Sequence, residues 1–251
     1  MTKTHFKKEF LKTLNEVDER ERRVCEGFDS FLECAFFAFV QSTHTLQSGR
    51  PSQHIEESYL SAVKRVKNPK TLPKLLGILT DALDSQGPHD FLGEIYMSEE
   101  MGNPNAGQFF TPYPVSRAIA SITLNGKTPS SSRRLTLNDP ACGSGSTLLA
   151  SFEVLKGLGF KRNQVYFVAQ DVDVRCVRMA YLHFTLLDIP GVVEHANTLT
   201  LQSWGSWETI GYARCPYPKP DFTDTKQLPK RPKPPKCILS AEALEIMKQS
   251  V

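Results

Sequence analysis

The sequence predicts an α/β protein, with an N-terminal helical domain followed by a shortened, doubly wound, Rossmann-like core. Three observations carry that expectation. Apolar residues recur at helical spacing through residues 1–104, with no strand pattern among them. From residue 105 to 215 short β-like runs alternate with helix-like ones, as in parallel sheets. Residues 216–251 form a Pro/Lys-rich tail, "YPKPDFTDTKQLPKRPKPPK", followed by the short helical stretch "SAEALEIMKQS". That composition favours extended chain before the final helix.

The elements follow in order. Phe6, Phe10, Leu11, Leu14 and Val17, then Val24, Phe28, Phe31, Leu32 and Ala35, fall at helical spacing as far as about Phe39. "DERERR" between the two sets is charged on every side and marks a solvated stretch or a break. Pro51 suits a first helical turn and opens "PSQHIEESYLSAVKRV". "LPKLLGILTDALDS" is a third helix, ending near Gly87-Pro88, and "HDFLGEIYMSEEMG" a fourth, closed by Gly102. "TPYPVSRAIASIT" is a helix entered through prolines. The strand runs are "RLTLNDP", "QVYFVAQD" and "GVVEHAN", separated by the helical "STLLASFEVLKGLG" and "VRCVRMAYLHFTLLDI". Trp204 and Trp207 in "LQSWGSWET" are expected to pack as a cap on the sheet.

At 251 residues the chain can bury a sizeable core. Its 40% hydrophobic and 23% charged residues are those of a soluble globular protein. The six cysteines form no C-x-x-C pair, which argues against a disulfide framework or a cysteine metal site and fits a reducing cytoplasm. "MTKTHFKKEF" lacks the apolar run of a signal peptide, and no stretch reaches the length of a membrane span. A net charge of +3 does not by itself demand a nucleic-acid partner. Two basic clusters can nonetheless track phosphates: Lys64, Arg65, Lys67, Lys70 and Lys74, and Lys226, Lys230, Arg231, Lys233 and Lys236. A solvated helix end is the commoner explanation of the first, and a solubilising tail accounts equally well for the second.

The chemistry concentrates at "LTLNDPACGSGST". Gly143-Ser144-Gly145 lies between a strand and a helix, where glycines let backbone amides approach a ligand. Leu148 stands at the third glycine position of the dinucleotide fingerprint, so the turn alone does not distinguish a nucleotide site from a tight connection. Three strand ends add polar groups. Asp139 is suited to the amino group of an amino-acid moiety, Asp171 to a ribose hydroxyl pair and Asn197 to an adenine edge. Together they predict a pocket for an adenosine bearing an amino-acid tail. His183 and His195 lack metal-ligand spacing and are expected to be structural.

"GQFFTP" at residues 107–112, followed by "DPACGSG" at 139–145, resembles the N6-adenine DNA methyltransferases of the type I modification-subunit family. Similarity extends over "HDFLGEIYMSEEMGNPNAG" and "AQDVDVRCVRMAYLHFTLLDIPG", from about Asp90 to Leu199. The resemblance implies an S-adenosylmethionine-dependent methyltransferase core. It assigns cofactor contacts to Phe110, Thr111, Asp139, Ala141, Gly143, Gly145 and Asp171, with Asn197 at the adenine. The family usually carries an aspartate at the last position; an asparagine oxygen can also accept from an adenine amino group.

The family holds a flipped adenine with [DNS]-P-P-[YFW], whose oxygens accept the amino hydrogens while the ring stacks on the base. That tetrapeptide does not occur in this sequence. "CPYP" at 215–218 offers Tyr217 as the one catalytic candidate, though a proline-flanked loop tyrosine is the better reading. Residues 198–251 leave little room for the rest of a full sheet or for a target-reading domain. The expectation is therefore a DNA adenine N6-methyltransferase-like protein that binds S-adenosylmethionine and does not catalyse transfer alone, with DNA as the substrate of any complex it joins. The alternatives are a non-catalytic cofactor-binding or decoy subunit of a restriction-modification or anti-restriction complex, and a DNA-binding accessory protein. No metal and no membrane partner is implied.

Overall fold

The computed structural model describes residues 3–17, 24–102, 108–130 and 134–214. The "DERERR" stretch, "CPYP" with Tyr217, and the Pro/Lys-rich tail lie outside the described residues. The described residues all belong to one compact unit, Met1–Pro216.

Five helices open the chain: α1 Lys3–Asn15, α2 Val24–Ser48, α3 Gln53–Lys64, α4 Thr71–Gln86 and α5 Phe91–Ser98. Their apolar stripes meet in one core, where Phe10 lies edge-on to both Phe31 and Phe91 with ring centroids 5.4 and 5.5 Å away. Burying each such ring contributes about 2–3 kcal/mol. Three boundaries refine the sequence expectation. Ser52, not Pro51, caps α3, so the proline lies one position before the cap. Gly87 closes α4 at φ 75°, a conformation that favours glycine. Helix α5 ends at Ser98, four residues before Gly102, and Glu100 turns the chain at φ 52°.

Helix α6 (Tyr113–Thr123) starts behind Pro112 and carries Pro114 in its first turn. The α/β part then runs β1 Leu135–Asp139, α7 Ser146–Gly157, β2 Val165–Asp171, α8 Val174–Leu186, β3 Gly191–Asn197, β4 Gln202–Glu208 and α9 Ile210–Ala213. The sheet order is β1-β2-β3-β4. The first three strands are parallel, with Asp139 beside Ala169 and Asp171 beside His195. Strand β4 is antiparallel to β3, with an irregularity at His195/Ala196. It occupies the stretch read from sequence as a tryptophan cap. Trp207 does pack inward, 5.0 Å from the Phe36 ring, but from a paired edge strand.

The helical region and the sheet share their packing elements. Helix α8 gives Cys176, Met179 and Leu182 to the helical core, and Val177, Ala180, Tyr181 and Phe184 to the sheet core. Helix α2 reaches the other way: Phe36 and Val40 join the sheet core, and Thr43 Oγ1 lies 3.0 Å from the Tyr181 hydroxyl. The glycine turn is thus packed from two directions. No helix among the described residues is long and apolar enough to cross a membrane.

Candidate functional site

Strand β1 ends at Asp139, and the turn that follows is fixed to β2. Cys142 N–H donates to the Gln170 carbonyl at 2.9 Å, extending the β1–β2 ladder past the strand end. Gly143 N–H donates to Asp171 Oδ2 at 2.8 Å, while Asp173 N–H donates to Asp171 Oδ1 at 2.9 Å. One carboxylate therefore ties the turn to the start of α8. Burial pushes the Asp171 carboxyl above its ordinary pKa, against the lowering effect of those two amides. Asp139 is held more locally, accepting from Ala141 N–H at 3.1 Å and from the Thr147 hydroxyl.

Both glycines have a steric reason. Gly143 adopts φ 55°, and a Cβ there would lie 3.0 Å from the Phe110 ring. Gly145, at φ 92°, leads into α7 with no side-chain cap, and a Cβ would lie 3.2 Å from Phe184. The Phe110 ring that covers Gly143 is itself stacked on Tyr96, with centroids 5.2 Å apart at 15°. Thr111 meets the same turn through its carbonyl, which accepts from the Ser146 hydroxyl at 3.1 Å. Ala141 is exposed beside Pro140 at the mouth of the turn. The structure thus brings Phe110, Thr111, Asp139, Ala141, Gly143, Gly145 and Asp171 into one neighbourhood. Gln108 anchors its approach: the side-chain amide donates to Asp173 Oδ2 at 3.0 Å, and its oxygen accepts from the Tyr96 hydroxyl at 3.1 Å.

Asn197 behaves differently. It closes β3, but its side-chain oxygen accepts from Leu199 N–H at 3.0 Å and Thr200 N–H at 3.1 Å. The acceptor expected to face an adenine amino group is engaged in its own turn. The amide hydrogens are what this residue presents, unless the side chain rotates.

Behind the turn lies a cluster that the strand-end reading missed. Asp90 caps α5, accepting from Gly93 N–H at 3.0 Å, and its other oxygen accepts from the Ser144 hydroxyl at 2.5 Å. His183, wholly buried in α8, accepts from Leu92 N–H through Nε2 at 3.3 Å. Its Nδ1 therefore carries the proton and donates to the Ser144 carbonyl at 3.1 Å. Burial holds this imidazole neutral, with its pKa lowered to about 4, and pushes the Asp90 carboxyl up to about 6. Gly93 is required here by space, because a Cβ would fall 2.3 Å from both the Asp90 and the Ser144 oxygens. His183 holds the Ser144 carbonyl through Nδ1. The spacing Asp90-x-x-Gly93 at a helix start was the available signal for this cluster. A cavity of about 360 Å³ adjoins it, where Asp90, Gly93, Glu94 and Lys7 face Phe110 and Thr111.

With this geometry in view, the comparisons with known proteins fall into place. The model of the N-6 DNA Methylase family matches residues 89–228, more than half of the chain. The chain belongs to that family. It is 29% identical over 167 residues to the methylase subunit of the type I restriction enzyme EcoEI from Escherichia coli, a match covering 60% of this chain and 32% of that protein. It is 26% identical over 205 residues to the methylase subunit of the type I restriction enzyme MpnII from Mycoplasma pneumoniae, covering 74% of this chain and 36% of that one. The chain thus spans about a third of the length of these curated relatives. Among solved structures, it matches the crystal structure of a type I restriction-modification methyltransferase subunit from Streptococcus thermophilus at 11% identity and a TM-score of 0.38, over 76% of this chain and 57% of that one. The family match begins at His89, so it takes in the Asp90 cluster as well as the glycine turn.

Proposed function

We propose that this chain is a cofactor-binding component of a DNA adenine N6-methyltransferase, taking S-adenosylmethionine at the carboxyl ends of β1 and β2. The observation that carries the reading is the Asp171 carboxylate, which ties the Gly143 amide to the start of α8 beside Asp139. A half-buried carboxylate next to a glycine-lined turn suits a ribose hydroxyl pair. The absence of a Cβ at Gly143 lets the Phe110 ring close on the turn, and the ring becomes part of the wall beside the strand ends. The cofactor supplies an electrophilic methyl group; this chain's residues bind and orient it.

The chain lacks the [DNS]-P-P-[YFW] tetrapeptide that holds a flipped adenine in the family. An unpositioned base loses orientation and charge stabilisation, each worth several powers of ten in rate. Methyl transfer to DNA accordingly needs a component from outside residues 1–251 that carries the base-holding group. Strand β1, whose one neighbour among the described strands is β2, offers an edge that such a component can cover. Membership of a restriction-modification complex, with DNA as the shared substrate, follows from the same reading.

The deciding experiment is calorimetric titration of the full chain with S-adenosylmethionine. Binding is expected in the micromolar range or tighter; no heat and no thermal shift at millimolar cofactor would sink the proposal. A labelled-methyl assay on unmethylated DNA, with and without type I partner subunits, tests the catalytic half. Robust transfer by the chain alone, lost on Tyr217→Ala, would show that "CPYP" holds the base after all.

A further inference from the structure

Asp90 is an anomaly on electrostatic grounds. Its side chain is 4% exposed, and no cation among the described residues pairs with it. The groups facing it can all be named. On its own segment stand His89 and Glu94; α8 contributes His183, 4.0 Å away, and Cys176; the N-terminus of α6 contributes Tyr113. Lys7 of α1 lines the same cavity but is paired with Glu94. His183 is neutral because Nε2 accepts a hydrogen bond, and burial lowers the pKa of His89 as well. From the turn, only the Ser144 hydroxyl answers the charge.

An asparagine would satisfy the same two partners, with its oxygen accepting from Gly93 N–H and its amide donating to Ser144 Oγ. The hydrogen bonds therefore do not require a charge, and a buried charge met only by a helix N-terminus and a hydroxyl is costly to the fold. A ligand cation explains it. Asp90 lies directly behind Ser144 of the glycine turn and opens on the cavity that holds Phe110 and Thr111. We infer that Asp90 is a positioning residue with two tasks: it struts the turn through Ser144, and its negative charge favours the cationic sulfonium of S-adenosylmethionine over the neutral thioether of the demethylated product. The inference rests on the proposed cofactor site and deepens it, assigning to this carboxylate the discrimination between substrate and product forms of the cofactor.

The test titrates the full chain, as wild type, Asp90→Asn and Ser144→Ala, with S-adenosylmethionine and with S-adenosylhomocysteine. Asp90→Asn is expected to weaken the sulfonium ligand about ten-fold, the scale of one unit charge acting through a partly polar interior, and the thioether less than about two-fold. Ser144→Ala keeps the charge and removes the strut, so it should weaken both ligands by the same factor. In wild type the preference for the sulfonium should fall several-fold between pH 7.5 and pH 5, as Asp90 takes up its proton, and Asp90→Asn should be flat. Equal losses for the two ligands in Asp90→Asn would overturn the charge role while leaving the cofactor site intact. Wild type that binds neither ligand would overturn both. If Asp90→Asn fails to fold, the wild-type pH profile decides, and a preference independent of pH rejects the inference.

Discussion

The front and the back of the glycine turn are built on opposite plans. In front, Asp139 and Asp171 are partly solvated, and each is satisfied by hydrogen bonds within a few residues of a strand end. Behind, Asp90, Ser144 and His183 are each at least 97% buried and come from three separate stretches of chain. The front can adapt to a ligand, since its partners are backbone amides and the Thr147 hydroxyl at a solvent boundary. The back cannot, because moving any member leaves another buried polar atom unsatisfied. The difference teaches that the turn owes its shape to α5 and α8 as much as to the sheet beside it.

The largest expected effect breaks the back. Gly93→Ala drives a methyl group into the Asp90 and Ser144 oxygens, so both must move and two buried hydrogen bonds are lost. Destabilisation of about 4 kcal/mol is expected in urea unfolding, at the upper end of single substitutions. A loss below about 1 kcal/mol would mean that the cluster is looser than its distances imply.

The next effect sharpens the electrostatic side. The Asp90 pKa is raised from 3.8 unfolded to about 6 folded, so the native state holds its proton more tightly. This contribution to stability is fully present below pH 3.8 and is lost as pH rises toward 6, by about 3 kcal/mol in all. Other groups titrate in the same range, so the quantity to measure is the stability difference between wild type and Asp90→Asn from pH 4 to pH 7. That difference should shift against wild type as pH rises and then level off. A difference that stays constant would show that Asp90 does not titrate in this window.

In front of the turn the effects are smaller. Asp171→Ala removes the acceptor for Gly143 and Asp173 and should weaken S-adenosylmethionine binding by about 2 kcal/mol, read by calorimetry. The smallest change belongs to Asn197→Ala. With its oxygen turned onto Leu199 and Thr200, the loss of cofactor affinity should stay below about 1 kcal/mol. A larger loss would show that the side chain rotates to meet the ligand.

The sequence makes the parallel strands visible because β1, β2 and β3 combine apolar residues with acids or amides at their carboxyl ends. Strand β4 escapes for a physical reason. "QSWGSWE" is a largely exposed edge with a glycine at its centre, so burial imposes no alternation on it. The front of the site is legible because its residues stand at strand ends, even though Gly143 and Asp171 are 28 positions apart. The back is not: Asp90 and Ser144 are 54 positions apart, and nothing local pairs an α5 cap with a turn serine. Asn197 shows a third limit, since its place at the strand end is evident while the direction of its oxygen depends on the turn that follows.

Strand β4 also makes the chain optically one-sided. Its two tryptophans, Trp204 and Trp207, are the only ones in the sequence, and both belong to this edge. The Trp204 indole lies 4.7 Å from the His195 ring, and Trp207 is edge-on to Phe36 of α2. Intrinsic fluorescence therefore watches the sheet margin and its contact with one helix, and Trp204 comes nearest the candidate site through His195, the neighbour of Asp171. An emission change on adding cofactor would reach Trp204 through His195, whereas a silent titration would say nothing against binding. Occupancy is better followed by heat, by a label placed at the turn, or by the melting of the whole unit.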